Sequence, residues 1–160
     1  MLGYEPATGH QYALFLRLVR DDAADYLDRA LELMDLTWEE FSQLFRSVGQ
    51  VVGVYLQGEM VGFSWVEERD AVLHLHALIL KSGFRGKGIG SQILRDIEAG
   101  VREGVDAIEL GVHVSNDAAK RLYERIGYRK VRALDELGFV VMQKSLTSQP
   151  PMQAPGRGQA

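Results

Sequence analysis

The chain has 160 residues, a formal net charge of −4 and no cysteine, which excludes disulfides, thiolate nucleophiles, cysteine-ligated zinc and iron–sulfur clusters. With 46% hydrophobic and 25% charged residues, it has the composition of a globular protein that can bury a core without staples. The acidic balance argues against nucleic acid as a partner, no apolar run reaches membrane-spanning length and no opening segment reads as a signal peptide, so the cytoplasm is the expected compartment.

The first third is helical in character over 12–48, with a short strand expected at 12–20. Asp21 and Asp22 precede Tyr26, Leu27, Ala30, Leu31 and Met34, which recur at helical spacing; acids at a helix start suit the macrodipole. Thr37 with Glu40 three residues on reads as a capping box, followed by an apolar face of Phe41, Leu44, Phe45 and Val48. The period then changes to two. Residues 50–56, the turn Gln57-Gly58-Glu59 and residues 60–67 read as strand, turn and strand. A further strand is expected at 72–80, where Leu73, His74, Leu75 and His76 alternate strictly. Ile89, Ile93, Ile97 and Val101 form a helical stripe ending near Gly104. Residues 107–114 form a strand, 116–126 a helix stopped by Gly127, and 128–134 and 139–146 a last strand pair. From 148 to 160, prolines, glycines and glutamines leave little to bury, so a disordered tail is expected.

Between the strand at 72–80 and the next helix lies Arg85-Gly86-Lys87-Gly88-Ile89-Gly90. A phosphate-binding Walker loop fails because Ile89 stands where lysine is required. A dinucleotide fingerprint fails because its last glycine comes one residue early. What remains is a loop whose bare amides and helix dipole favour an anion, with glycines removing the side chains that block approach. A turn that uses glycine only for its angles is the alternative reading of this segment alone.

The second informative segment is Asn116-Asp117-Ala118-Ala119-Lys120-Arg121-Leu122-Tyr123-Glu124-Arg125-Ile126-Gly127-Tyr128. Together the two resemble the GNAT superfamily of acyl-CoA-dependent N-acetyltransferases. Residues 85–90 are similar to its Arg/Gln-x-x-Gly-x-Gly/Ala signature and residues 116–128 to its later cofactor-binding run, within a resemblance covering 50–146. The resemblance implies an α+β fold in three layers (α/β/α), a mixed, mostly antiparallel six- to seven-stranded sheet with helices on both faces. That fold would form one domain over 1–147. The strands at 72–80 and 107–114 would run parallel and splay apart at a bulge. The resemblance further implies acetyl-CoA as co-substrate and no metal. Backbone groups of Leu78, Ile79 and Leu80 would lie along the pantetheine arm, and Arg85, Gly86, Lys87, Gly88, Ile89, Gly90 and Ser91 around the pyrophosphate. Asn116 would contact the pantetheine or local backbone. The acceptor would be an amine, small molecule or protein, and a homodimer is common among such proteins.

Acyl transfer from a thioester needs a neutral amine, a stabilised oxyanion and a protonated leaving thiolate. An amine of pKa about 10.4 costs roughly 4–5 kcal/mol to deprotonate at pH 7, so a base or a dehydrating pocket must supply part of that. The Leu80 amide is expected at the oxyanion. Tyr123, about two helical turns from Asn116 and nearly on its face, is the expected general acid, a role tyrosine holds in the family. Relatives place a glutamate five residues before the asparagine or eleven before the arginine; those positions here are Gly111 and His74. His74 and His76 are the candidate bases, with side chains on one face of a strand and ordinary pKa values that suit neutral pH. Glu109 and His113 stand in reserve. Without cysteine, transfer is expected by direct attack. The competing reading is a non-catalytic acyl-CoA-binding or regulatory domain, kept open by Gly111. Asp21, Asp22, Asp25, Asp28, Glu32, Asp35, Glu39 and Glu40 read as wet helix faces ahead of a site for a cationic acceptor such as a polyamine or aminoglycoside.

Overall fold

Two of the three helix starts in the first third are tied down by a short polar bond. In the computed structural model, which describes residues 1–147, the Thr8 amide donates to Gln11 Oε1 at 2.8 Å and opens α1 (Gly9–Asp22). After α2 (Leu27–Leu33), Thr37 opens α3 (Trp38–Ser47). Its hydroxyl accepts from the Glu40 amide at 3.0 Å while its own amide donates to the Glu40 carboxylate at 2.9 Å, which is the reciprocal box expected. The tail expected from 148 lies outside the described residues.

The strand expected at 12–20 is instead the body of α1, and the strand before it is β1 (Leu2–Pro6). Leu14, Leu16 and Leu18 do alternate, but Phe15 and Val19 are the residues buried, four apart as a helix requires. Asp21 and Asp22 likewise close α1 and do not open the following helix.

The remaining elements follow the two periods closely: β2 (Gln50–Leu56), β3 (Glu59–Arg69), β4 (Val72–Leu80), α4 (Ile89–Gly100), β5 (Ala107–His113), α5 (Asp117–Arg125), β6 (Arg129–Leu134) and β7 (Phe139–Ser145). The helix at 89 stops at Gly100, four residues short of the end expected near Gly104. One seven-stranded sheet runs β1-β2-β3-β4-β5-β7-β6. Its neighbours pair antiparallel except β4 and β5, which are parallel. The sheet is mixed, mostly antiparallel and covered on both faces.

On one face, Phe15 of α1 stacks on Phe63 at 4.4 Å, and Phe45 of α3 meets Phe63 and Trp65 edge-on. On the other, Ile89 and Ile93 of α4 pack on Val54 and Val61. Leu75, Ile108 and Leu110 meet Ala119, Tyr123 and Ile126 from α5. Truncating a buried aromatic such as Phe15 or Phe63 to alanine costs about 3–5 kcal/mol in sites of this kind.

The feature that positions the site is an extra residue in β4. Trp65 pairs with Ala77 and Val66 with Leu75, so His76 has no residue opposite it. The extra residue inverts the strand's facing. Leu75 packs with the α4–α5 cluster, whereas Ala77 and Ile79 pack with the α1–α3 cluster. At the same point β4 leaves β5. Their ladder runs from Val72–Ala107 to Leu75–Leu110 and stops, leaving a gap between the C-terminal halves of two parallel strands.

Candidate active site

The gap is lined by main chain. Lys81 N donates to Val61 O at 2.8 Å, which makes the next pair, Gly62 and Leu80, one that exchanges no bonds across that ladder. By alternation the amides and carbonyls of Leu78 and Leu80 turn away from β3, into the gap. The Leu80 carbonyl is met there by Arg85 Nε at 3.0 Å.

Beyond the gap the glycine run curls into α4. Gly86 and Gly88 hold φ of 74° and 82°, a left-handed conformation that disfavours any side chain, and Gly88 is the residue that caps α4. No side chain caps this helix start, so the amides of its first turn and its dipole remain for an anion. Gly86, Gly88, Gly90 and Ser91 line a cavity of about 610 Å³ with Leu78 and Leu80. Lys87 and Ile89 are not among its lining residues. Lys87 is exposed, and Ile89 turns inward and is buried against the sheet.

A second cavity of about 350 Å³ lies under α1 and α2, with Ala77, Gly111 and His113 in its wall. The two cavities share Asp22, Leu78, Ile79, Asn116, Ala119 and Tyr123. They are two arms of one space, and Tyr123 stands where they join. Its hydroxyl pKa is pushed up to about 12, first by burial and then by the nearby Asp22 and Tyr26, so at neutral pH it holds its proton. Asn116 caps α5, its Oδ1 accepting from the Ala119 amide at 3.1 Å. Its role seen here is therefore to local backbone.

The bulge separates the two strand histidines chemically. Their rings stack 6.1 Å apart, but only His76 lines the second cavity. His76 Nε2 is 2.8 Å from Glu67 Oε1, and Glu67 is held below the usual carboxylate range, chiefly by that bond. An ionised carboxylate only accepts, so Nε2 carries a proton, and in the neutral ring Nδ1 then keeps the lone pair. His74 is set back from the cavity wall, with Nδ1 3.7 Å from Glu109 Oε2 and Nε2 3.5 Å from Arg69 Nη2. Burial, and then Arg69, pushes its pKa down. Glu109 is itself engaged by Arg132 at 3.0 Å and Gln143 at 3.1 Å.

Several cavity residues carry no local signal in the sequence. Tyr26 stacks on His113 at 4.2 Å, and Phe139 meets both edge-on at 5.3 Å. Asp22 lines both arms and pairs with Arg85 at 3.5 Å. A Cβ at Gly111 would stand 3.6 Å from Phe139, an ordinary contact, so the missing side chain there is not forced by crowding.

The pattern of the Acetyltransferase (GNAT) family matches residues 15–128. The N-acetylaspartate synthetase of Danio rerio is 33% identical over 93 residues, 56% of this chain and 33% of that protein. The spermine/spermidine N(1)-acetyltransferase of Bacillus subtilis is 29% identical over 105 residues, 59% of this chain and 69% of that one. The chain spans about a third of the length of several curated relatives that it matches. Among solved structures, the PaiA N-acetyltransferase of Thermoplasma acidophilum in complex with coenzyme A superposes with a TM-score of 0.68. At 16% identity, that match covers 91% of this chain and 99% of that one.

Proposed function

We propose a reaction for this chain on one premise: it belongs to the Acetyltransferase (GNAT) family, whose pattern spans more than half of it. The reaction is transfer of an acetyl group from acetyl-CoA to a primary amine by direct attack, with no acyl-enzyme. The observation that carries this reading is the meeting of two cavities at a protonated tyrosine, one arm ending in bare helix-start amides and the other in an imidazole. A coenzyme A donor is supported by the Thermoplasma acidophilum neighbour, and an amine acceptor by the Bacillus subtilis relative.

Acetyl-CoA supplies the thioester carbon that the amine attacks and the thiolate that leaves. The residues of this chain do the rest. The first turn of α4 holds the diphosphate with amides and the helix dipole. Leu78 and Leu80 offer main-chain groups to the extended arm as a neighbouring strand would, and the Leu80 amide is placed to stabilise charge on the acyl oxygen. His76 takes the proton lost by the amine, its ring oriented by Glu67. Tyr123 returns a proton to sulfur as the carbon–sulfur bond breaks. His74 acts by supporting His76, since it stands off the cavity.

Coenzyme A release measured together with the mass of the acetylated amine tests this. Acetyl-CoA binding without turnover of any amine favours the non-catalytic reading, which the open position at Gly111 keeps specific. A failure to bind acetyl-CoA at all removes both.

A further inference from the structure

The cavity under α1 and α2 has walls that discriminate among amines. We propose that its acceptor is a primary monoamine carrying an aromatic or branched aliphatic group, an assignment of substrate class that rests on the acetyl-transfer reading above. Three observations carry it.

The first is the shape of the apolar surface. Tyr26 and His113 stack face to face, their planes 11° from parallel, and Phe139 meets both edge-on. The three rings make a preformed aromatic wall from the approach to α2, β5 and β7, against which a flat or branched group can pack. Stacking of this kind adds to area burial, and pockets for small organic ligands of about 300–1,000 Å³ are built mainly of such surface.

The second is the mouth. Met34 and Leu134 both line this cavity and stay exposed, at 45% and 39%. A cavity meant for a polycation has no use for an apolar rim, which repels water from the entering group and gains nothing from a second ammonium.

The third is charge. Among the described residues lining this cavity, Asp22 is the one acid and there is no lysine or arginine. Asp22 is already paired with Arg85, and Asp25, Asp28 and Glu32 are exposed outside the lining. A polyamine would bring a second cation into a wall with no free carboxylate. An amino acid would bring a carboxylate to a wall with no cation. Either leaves a charge desolvated and unpaired, the costly arrangement that gives pockets their selectivity.

The test is steady-state kinetics of the full chain with acetyl-CoA and four amines: 2-phenylethylamine, 3-methylbutylamine, spermidine and aspartate, with a short peptide bearing a free N-terminus as a fifth. The expected result is a kcat/KM for the first two at least about tenfold above the others. Met34→Glu and Leu134→Glu, which add carboxylates at the rim, narrow or invert that gap in favour of spermidine. A wild-type preference for spermidine, aspartate or the peptide overturns the proposal. If no amine turns over, 2-phenylethylamine is titrated calorimetrically into protein saturated with coenzyme A. Heat of binding keeps the ligand class and removes the transfer reading alone, and its absence removes the ligand class.

Discussion

Asp22 Oδ1 stands 3.5 Å from Arg85 Nη2, joining the last residue of α1 to the first residue of the glycine run. The same guanidinium donates from Nε to the Leu80 carbonyl, so one side chain links a helix end, a strand end and the glycine loop. Burial raises the Asp22 pKa, and Arg85 pulls it back. With side-chain exposures of 52% and 40%, the pair contributes at most about 1 kcal/mol to stability. Its larger effect is on charge at the loop. Asp22→Asn is expected to leave thermal stability within about 1 kcal/mol of wild type. It should tighten coenzyme A binding by about twofold to fivefold at low ionic strength, a gain that disappears in high salt. Calorimetry at two salt concentrations checks this. Weaker binding by the variant would mean that the carboxylate holds Arg85 in position for the anion.

The glycines of the loop separate into two kinds. Gly88 has φ of 82° and nothing within 4 Å of an added Cβ, so its constraint is torsional; Gly90 has no such φ, and an added Cβ would sit 3.8 Å from Leu122. Gly88→Ala should therefore cost about 1–2 kcal/mol of stability. Gly90→Ala, inside α4, should cost nothing and gain up to about 1 kcal/mol. Gly88→Ala should weaken coenzyme A binding by about tenfold or more, because it puts a methyl group where the diphosphate is proposed to approach bare amides, whereas Gly90→Ala should keep it, the family signature admitting alanine at that position. Denaturation and calorimetry on the two variants separate fold from binding. A Gly88→Ala protein that binds coenzyme A like wild type would count against this loop as the diphosphate site.

Much of this architecture was readable because local and tertiary preferences agree. In β2 through β5, apolar residues recur at period two between turn residues, and the Thr37–Glu40 box announces α3 without ambiguity. Where two periods coexist, the sequence misleads. Residues 12–20 carry alternating leucines and a helical stripe together, and the Thr8–Gln11 bond with the buried Phe15 and Val19 decides for helix. A bulge was expected from the family resemblance, but its position at His76 was hidden in the residues for a related reason. Leu73-His74-Leu75-His76 reads as a regular strand, and the extra residue becomes visible only against Trp65 and Val66 on the neighbouring strand. The cavity under α1 and α2 was the least legible part. Tyr26, His113 and Phe139 come from distant stretches, and only packing brings their rings together.

Tyr123 offers a test that does not depend on knowing the acceptor. Burial pushes its pKa up to about 12, so the folded protein binds this proton more tightly than the unfolded chain, whose value is near 10. The contribution to stability is full below pH 10 and is lost as pH rises toward 12. In a phenolate absorbance titration, the wild-type minus Tyr123→Phe difference should stay flat through pH 10 and rise only near 12. As the proposed proton donor to sulfur, Tyr123 should be needed for turnover and not for binding. Tyr123→Phe is expected to lower kcat by about 10²-fold or more with little change in acetyl-CoA affinity. An unchanged kcat would reduce it to a packing residue of the α5 cluster.

The two histidines of β4 should part company in a pair of experiments, because the bulge puts one in the cavity wall and sets the other behind it. For His74, burial and Arg69 lower the pKa below its ordinary 6.5. The folded imidazole therefore binds a proton more weakly than the unfolded one. Its contribution to stability is fully present above pH 6.5 and is lost as pH falls through the depressed value. Gln cannot titrate, so His74→Gln should flatten the dependence of Tm on pH just below 6.5. Glu67, also depressed, loses its contribution only at more acid pH, below its ordinary 4.5, and so does not blur that window. For His76, the lone pair on Nδ1 is the proposed base. His76→Gln should lower kcat/KM for the amine by about 10²-fold while acetyl-CoA affinity is kept, and its Tm profile should still show the His74 step. Measuring kcat/KM and Tm against pH for both variants gives a crossed pattern if the assignment holds. The reverse pattern, with turnover lost in His74→Gln and kept in His76→Gln, would transfer the base to His74 and require a water between its ring and the amine.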